Sequence, residues 1–235
     1  MKYTIIDKRM PNECKNVLNK RGFKTLELPP FSALSESVSS HPDMLIFLGD
    51  KIFCHIDYYK AAKDVLDIIS DVSGMEIFFS SENINEKYPS DILFNAVKLG
   101  NYIFGRTDSM SELIKNYADQ NKITLVNVRQ GYTKCSVCKV TDNAIITADE
   151  GIFKAAKKLG IDVLKISQGD ITLDGCDYGF IGGASGSDGI NTYFCGNLDL
   201  HPDGDAIKNF CSTHGRPAIS LGKDRLYDVG TIFFI

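Results

Sequence analysis

One pattern is written five times along this chain: a run of β-forming residues ends near an aspartate, a helical stripe follows, and another β-forming run follows the helix. The aspartates are Asp7, Asp57, Asp108, Asp149 and Asp199, behind runs at 3–6, 52–56, 102–107, 144–148 and 193–198. A repeat of roughly 40 to 50 residues signals an array of like units, which constrains the fold more than any short motif.

The helical stripes have the 3.6-residue spacing of elements that cover one face of a sheet: Met10, Cys14, Val17, Leu18 in the first, Ala62, Val65, Leu66, Ile69 in the second, and comparable sets at 110–117, 152–159 and 206–211. The repeated aspartates read as helix N-caps, with Ser109 to Glu112 as a capping box. Gly22, Gly74, Gly160 and Gly215 mark the helix ends. Strands closing each unit are expected at 23–28, 76–80, 123–128, 163–166 and 217–221. Opening strands are expected at 44–48, 92–99, 136–141 and 178–184, joined to the next by tight turns such as Gly49-Asp50 and Gly100-Asn101. Only four whole units lie inside the chain. The fifth is assembled from both ends, with 226–235 as the opening strand and 3–28 supplying strand, helix and strand. Pairing the last strand with the first removes the exposed edges of an open array, so an α/β ring of five ββαβ units in a single domain over 1–235 is expected.

This architecture resembles the pentein, or α/β-propeller, fold. The local patterns Gly131-Tyr132 through Cys135, Ile146-Thr147-Ala148-Asp149, Gly179 through Gly186 and Asp228-Val229-Gly230 are similar to those of an uncharacterised bacterial family placed in the same fold. The resemblance implies a five-unit pseudo-fivefold propeller closed by the N- and C-terminal strands, and two classes of relative. Guanidine-group-modifying enzymes (arginine deiminases, amidinotransferases, dimethylarginine hydrolases) use a cysteine nucleophile late in the chain, a histidine and carboxylates. The ribosome anti-association factor is non-enzymatic. In this chain 226–235 holds no cysteine, Ser185 and Ser187 stand in the glycine-rich stretch where such enzymes lead to their nucleophile, and Asn95 stands where they often carry an aspartate.

Composition narrows the function classes. The net charge is −4 with basic residues scattered, which leaves no electrostatic footprint for nucleic acid. No apolar run approaches the ~18 residues of a membrane span. Residues 1–7 read as a strand without the basic and apolar regions of a secretory leader, and the seven cysteines read as reduced core residues, so a cytoplasmic protein is expected. Cys135 and Cys138 have CxxC spacing but no second pair, so neither a metal nor a cofactor is expected.

The expected site lies at the inner ends of the units. Asn95, Gln130, Tyr132, Gly182, Gly183, Ser185 and Asp228 are the candidate ligand-binding residues, and Cys135, expected to begin a strand at the ring's mouth, is the candidate nucleophile. The expected ligand is a polar amine, amidine or guanidine compound, with C–N hydrolysis or amidine transfer as its chemistry. The alternative is a non-catalytic propeller that docks a partner protein through its face or through 29–42, a stretch expected to form a mobile flap. His55, Arg106, Thr147 and Asn197, two places before four of the aspartates, either line the channel or serve as structural hydrogen-bonders. His201 reads as a capping or surface residue, and His41 and His214 as loop residues.

Overall fold

A computed structural model describes residues 2–235; Met1, at the head of the expected first strand, lies outside them. Five three-stranded sheets recur with one topology, a middle strand antiparallel to the opening strand and parallel to the closing one. Their middle strands are Lys2–Asp7, Ile52–His55, Tyr102–Gly105, Ala144–Thr147 and Thr192–Phe194. A helix connects each middle strand to its closing partner, as a parallel crossover requires: Asn12–Lys20, Lys63–Ser73, Glu112–Gln120, Glu150–Lys158 and Gly204–Thr213. These helices bury the stripes that periodicity marks, including Cys14 and Leu18, Leu66 and Ile69, and Ile207 and Cys211. Phe233–Phe234 pairs antiparallel with the first strand, Thr4 opposite Phe234 and Ile5 opposite Phe233, so the chain's two ends share one sheet. A further short parallel pair joins Ile171–Thr172 to Leu226–Tyr227.

The opening strands are much shorter than expected. They span only Ile46–Leu48, Val97–Leu99, Cys138–Thr141, Ser185–Ser187 and Phe233–Phe234. The apolar residues before them form turns or one-turn helices, Pro42–Leu45 and Thr133–Ser136 among them, because their backbone groups bond between units and not along a ladder. Asp43 N–H donates to Gly230 O (3.0 Å), Gly183 N–H to Cys135 O (2.9 Å) and Thr231 N–H to Gly183 O (2.8 Å). Cys135 therefore lies in a short buried helix, not at the start of a strand.

The repeated aspartates are not a set of N-caps. Asp149 is one, accepting from Ile152 N (2.7 Å). His55 and Asn197 cap the short helical turns Ile56–Ala61 and Leu198–Leu200 that precede the second and fifth helices, accepting from Asp57 N and Asp199 N, while Ser111 caps the third helix in place of the expected Ser109 box. Glu82, from the preceding connector, completes that cap by accepting from Glu112 N (3.1 Å) and from the Ser111 hydroxyl. Thr147 Oγ1 likewise accepts from Asp149 N and donates to Ser136 O. The residues two places before these aspartates are thus hydrogen-bonders that fix the strand-to-helix corner, not channel walls.

Residues 29–42 are pinned and do not form a free flap. Phe31 and Leu34 are buried, Phe31 N–H donates to Ser39 O (2.8 Å), and the Arg9 guanidinium donates to Glu36 O and Ser37 O (2.5 and 3.0 Å). The connector delivers His41 to the interior.

Gly186 shows how closely the terminal strand packs. A Cβ there would lie 1.9 Å from Ile232 O, a backbone atom, so any side chain must displace the strand that joins the chain ends. Gly186→Ala is expected to destabilise the protein by about 1–3 kcal/mol in urea unfolding, with Ser187→Ala near neutral; equal stability of the two variants would contradict this packing.

Candidate functional site

The segments that interrupt the opening strands bring polar side chains together in the interior. Asn95, 2% exposed, is the first anchor: its Nδ2 donates to Cys135 Sγ (3.0 Å) and Asp43 O (3.1 Å), and its Oδ1 accepts from Lys134 N (2.7 Å). One amide thereby ties three units. Asp228, 1% exposed, is the second: its carboxylate accepts from Phe180 N (2.8 Å) and Gly230 N (2.9 Å). The space it needs is supplied by Gly183, where a Cβ would lie 1.9 Å from Asp228 Oδ1. Gly182 is equally confined, since a Cβ would stand 2.4 Å from the carbonyl oxygens of Lys134 and Val137.

His41 lies between two buried carboxylates, Nε2 3.6 Å from Asp7 Oδ2 and Nδ1 3.8 Å from Asp228 Oδ1. Both separations exceed hydrogen-bond length, and Nδ1 has no hydrogen-bond partner among the described residues. The carboxylates differ in character. Burial alone would raise the Asp7 pKa, but bonds from the Arg9 side chain and backbone and from Ser40 outweigh it and hold the group below its usual value. Burial raises the Asp228 pKa, the Asp43 charge adds to the effect, and His41 opposes it. Asp43 Oδ2 accepts from Thr231 Oγ1 (2.8 Å), while its Oδ1 has no partner among the described residues.

Cys135 and His41 line one cavity of about 300 Å³, with Tyr132, Phe180, Asp177 and Asp228 on its walls. The Tyr132 ring stacks on Phe180, and its hydroxyl donates to Asp91 (2.7 Å), a carboxyl that burial pushes up. A second cavity of about 270 Å³ shares Ser37, His41 and Leu173 with the first and adds Asp7, Arg9 and Asp174. Arg9 is already committed to Asp7, so the two neighbouring cavities together carry a surplus of carboxylates. Burial pushes the Cys135 thiol well above its ordinary pKa, with the Asp43 and Asp228 charges adding to it. The resting sulfur is a thiol and not a thiolate.

Of the residues expected at the site, Asn95, Tyr132, Cys135, Gly182, Gly183 and Asp228 converge here. Two do not. Gln130 accepts from Tyr132 N (3.1 Å) and lines a separate small cavity beside Asp149. Ser185 faces a larger cavity that shares no lining residue with this one. Sequence reasoning missed Asp7, His41, Asp43, Lys134 and Thr231, all buried. Their signal is positional: Asp43 and Thr231 precede opening strands, as Asn95 and Cys135 do. His201 is buried and not at the surface; its Nδ1 accepts from Asp203 N (3.0 Å), the residue at the N-cap of Gly204–Thr213, which has no side-chain cap bond. Among the described residues no group of three or more His, Cys, Asp or Glu is arranged to hold a metal ion.

The fold is that of the pentein enzymes. Over 94% of its length the chain is similar to DDAH from Pseudomonas aeruginosa, complexed with citrulline, covering 91% of that protein at 7% identity and a TM-score of 0.60. It is also similar to SxtG, an amidinotransferase from Microseira wollei in the saxitoxin biosynthetic pathway (12% identity, 90% of this chain and 73% of that one, TM-score 0.56). The inosamine-phosphate amidinotransferase of Streptomyces griseus is a third (12% identity, 91% and 76% covered, TM-score 0.51). No curated protein matches the sequence. Residues 5–233 match the model of a family of unknown function, DUF6873, and the chain belongs to that family.

The burial of Cys135 gives a direct expectation. Of the seven cysteines only Cys176 is exposed. Iodoacetamide on the native protein at pH 8 is expected to label Cys176 while Cys135 stays unmodified until the protein unfolds; rapid labelling of Cys135 near neutral pH would contradict the protonated thiol.

Proposed function

We propose that this chain is a small-molecule-binding pentein-fold protein whose cavity beside Cys135 takes a polar amine, amidine or guanidine compound. In this reading residues 1–235 form one domain, the five sheets stand as blades of a pseudo-fivefold propeller, and the pairing of the terminal strands closes the ring. One observation supports the ligand class: Asp228 and Asp177 line the cavity beside Cys135, Asp7 and Asp174 line the neighbouring cavity that shares His41 with it, and Arg9 there is already paired with Asp7, so the site complements a cation. Tyr132 and Phe180 supply an apolar wall suited to a planar group.

Catalysis is the further part of this reading. A bound cation would offset the Asp43 and Asp228 charges that help keep Cys135 protonated, which favours the thiolate once ligand is in place. Thiolate attack on an amidine or guanidine carbon would form a C–S bond, and breaking a C–N bond would release the amine as it takes up a proton. Water or a second amine would then free the sulfur. Seven unpaired cysteines support a cytoplasmic setting. Among the described residues no helix is long and apolar enough to cross a membrane.

The partner-docking alternative has less support, because the exposed large apolar residues are few: Ile68 and Val72 share one helix, and Phe79, Tyr88, Ile190 and Leu200 lie on other elements. An N-alkylguanidine at about a hundredfold excess over its Kd is expected to add roughly 2.7 kcal/mol of stability, seen as a rise in Tm, while the neutral alkylurea of the same shape adds little. Asp228→Asn, in protein verified as folded, is expected to reduce the rise. No stabilisation by any amine, amidine or guanidine, or equal stabilisation by the alkylurea, would refute the cation reading.

A further inference from the structure

Lys134 and Cys135 are adjacent in sequence, yet they line different cavities. The one reached by Lys134 is the larger of the two, about 630 Å³, and has the opposite charge balance. Its walls carry Lys98, Lys134, Lys139 and Arg216 against Asp50 and Asp142. Both carboxylates are occupied: Asp50 is bonded by Tyr117 Oη (2.7 Å) and paired with Lys98 (3.3 Å), and Asp142 is paired with Lys139 (2.7 Å) and accepts from Gly100 N (3.0 Å).

Lys134 and Arg216 are left with no ion pair among the described residues. The Arg216 guanidinium donates to the neighbouring Gly215 carbonyl (2.9 Å) and to no other group among the described residues. Lys134 is 8% exposed, and its Nζ donates to Thr231 Oγ1 (2.9 Å) and lies 5.6 Å from the Phe233 ring centroid, both residues lining the same cavity. The carboxylate nearest along that chain of bonds, Asp43, is on the far side of Thr231 and is reached only through its hydroxyl. An ammonium has three donors, and a single hydroxyl satisfies one. Taking a cation this far from water costs several kcal/mol unless its charge and remaining donors are met. The hydroxyls of Ser185, Ser187 and Thr141 line the same space; those of Ser185 and Ser187 donate only at long range, to Gly182 O (3.5 Å) and Val140 O (3.4 Å), and can turn to an acceptor-rich ligand. An oxyanion would supply the acceptors that the Lys134 ammonium lacks.

We propose that this cavity is a binding site for a small organic or inorganic oxyanion, carboxylate or phosphate, with Lys134 at its floor and the more exposed Arg216 and Lys139 as its outer contacts. The site is independent of the cation reading of the Cys135 cavity, since the two share no lining residue.

Isothermal titration of the full chain at constant ionic strength with inorganic phosphate, and separately with malonate, tests it. One saturable site for either anion is expected, and the stronger of the two shows whether the site favours phosphate or carboxylate. Arg216→Ala is expected to weaken binding about tenfold or more, Lys134→Met to abolish it, and Lys154→Ala, on a helix outside the cavity, to leave it unchanged. Should Lys134→Met fail to fold, Arg216→Ala and Lys139→Ala decide. Absence of saturable binding to both anions, or affinities that these two variants leave within about twofold, would overturn the proposal.

Discussion

The Asp228 carboxylate holds the interior of this protein together. It accepts backbone N–H groups from Phe180 and Gly230 and packs on the bare face of Gly183. These contacts link the segment before the last strand to the segment before the opening strand Ser185–Ser187. A buried carboxylate without such donors would be costly, so the backbone must turn to meet it. That turn stands ahead of Phe233–Phe234, beside the cavity that Asp228 lines. The same demand explains the glycines: Gly182 and Gly183 are required by close approach of carbonyl and carboxylate oxygens.

Charge is divided between separate spaces. One cavity gathers carboxylates around a thiol and an imidazole, and the other gathers cations around hydroxyls. Thr231 stands between them, its hydroxyl donating to Asp43 and accepting from Lys134. At φ +75° this β-branched residue adopts a backbone conformation that costs on the order of 1–3 kcal/mol. The interior bonds of its N–H and hydroxyl hold it there.

The repeat was legible because its helices and closing strands follow local periodicity. The middle strand, helix and closing strand of each unit lie within a few residues of where hydrophobic spacing puts them, and the closing strand Phe23–Leu28 matches in full. The opening strands depart from expectation for a physical reason: 92–96 turns on its own backbone bonds, Asn95 N–H to Ile92 O and Ala96 N–H to Phe94 O, and the glycine-rich 178–184 adds to such a bond one to another sheet's segment, Gly183 N–H to Cys135 O, which no local pattern encodes. The aspartates misled similarly, since a short acceptor before a helix looks like a cap whether or not the residue two places earlier takes that role. Within the site, Asn95, Cys135, the glycines and Asp228 could be found from the resemblance. His41, Asp43 and Lys134 could not, because a histidine beside a proline in a serine-rich connector and a lone lysine in a loop read as solvated until the chain buries them.

A crystal structure of the protein soaked with an N-alkylguanidine tests the account most directly. The account predicts planar density in the cavity between Cys135, His41 and Asp228, with its nitrogens directed at the carboxylates and its alkyl chain along Tyr132 and Phe180. Density only at the Lys134 cavity or on the outer surface, with the Cys135 cavity unoccupied at saturating ligand, would contradict it.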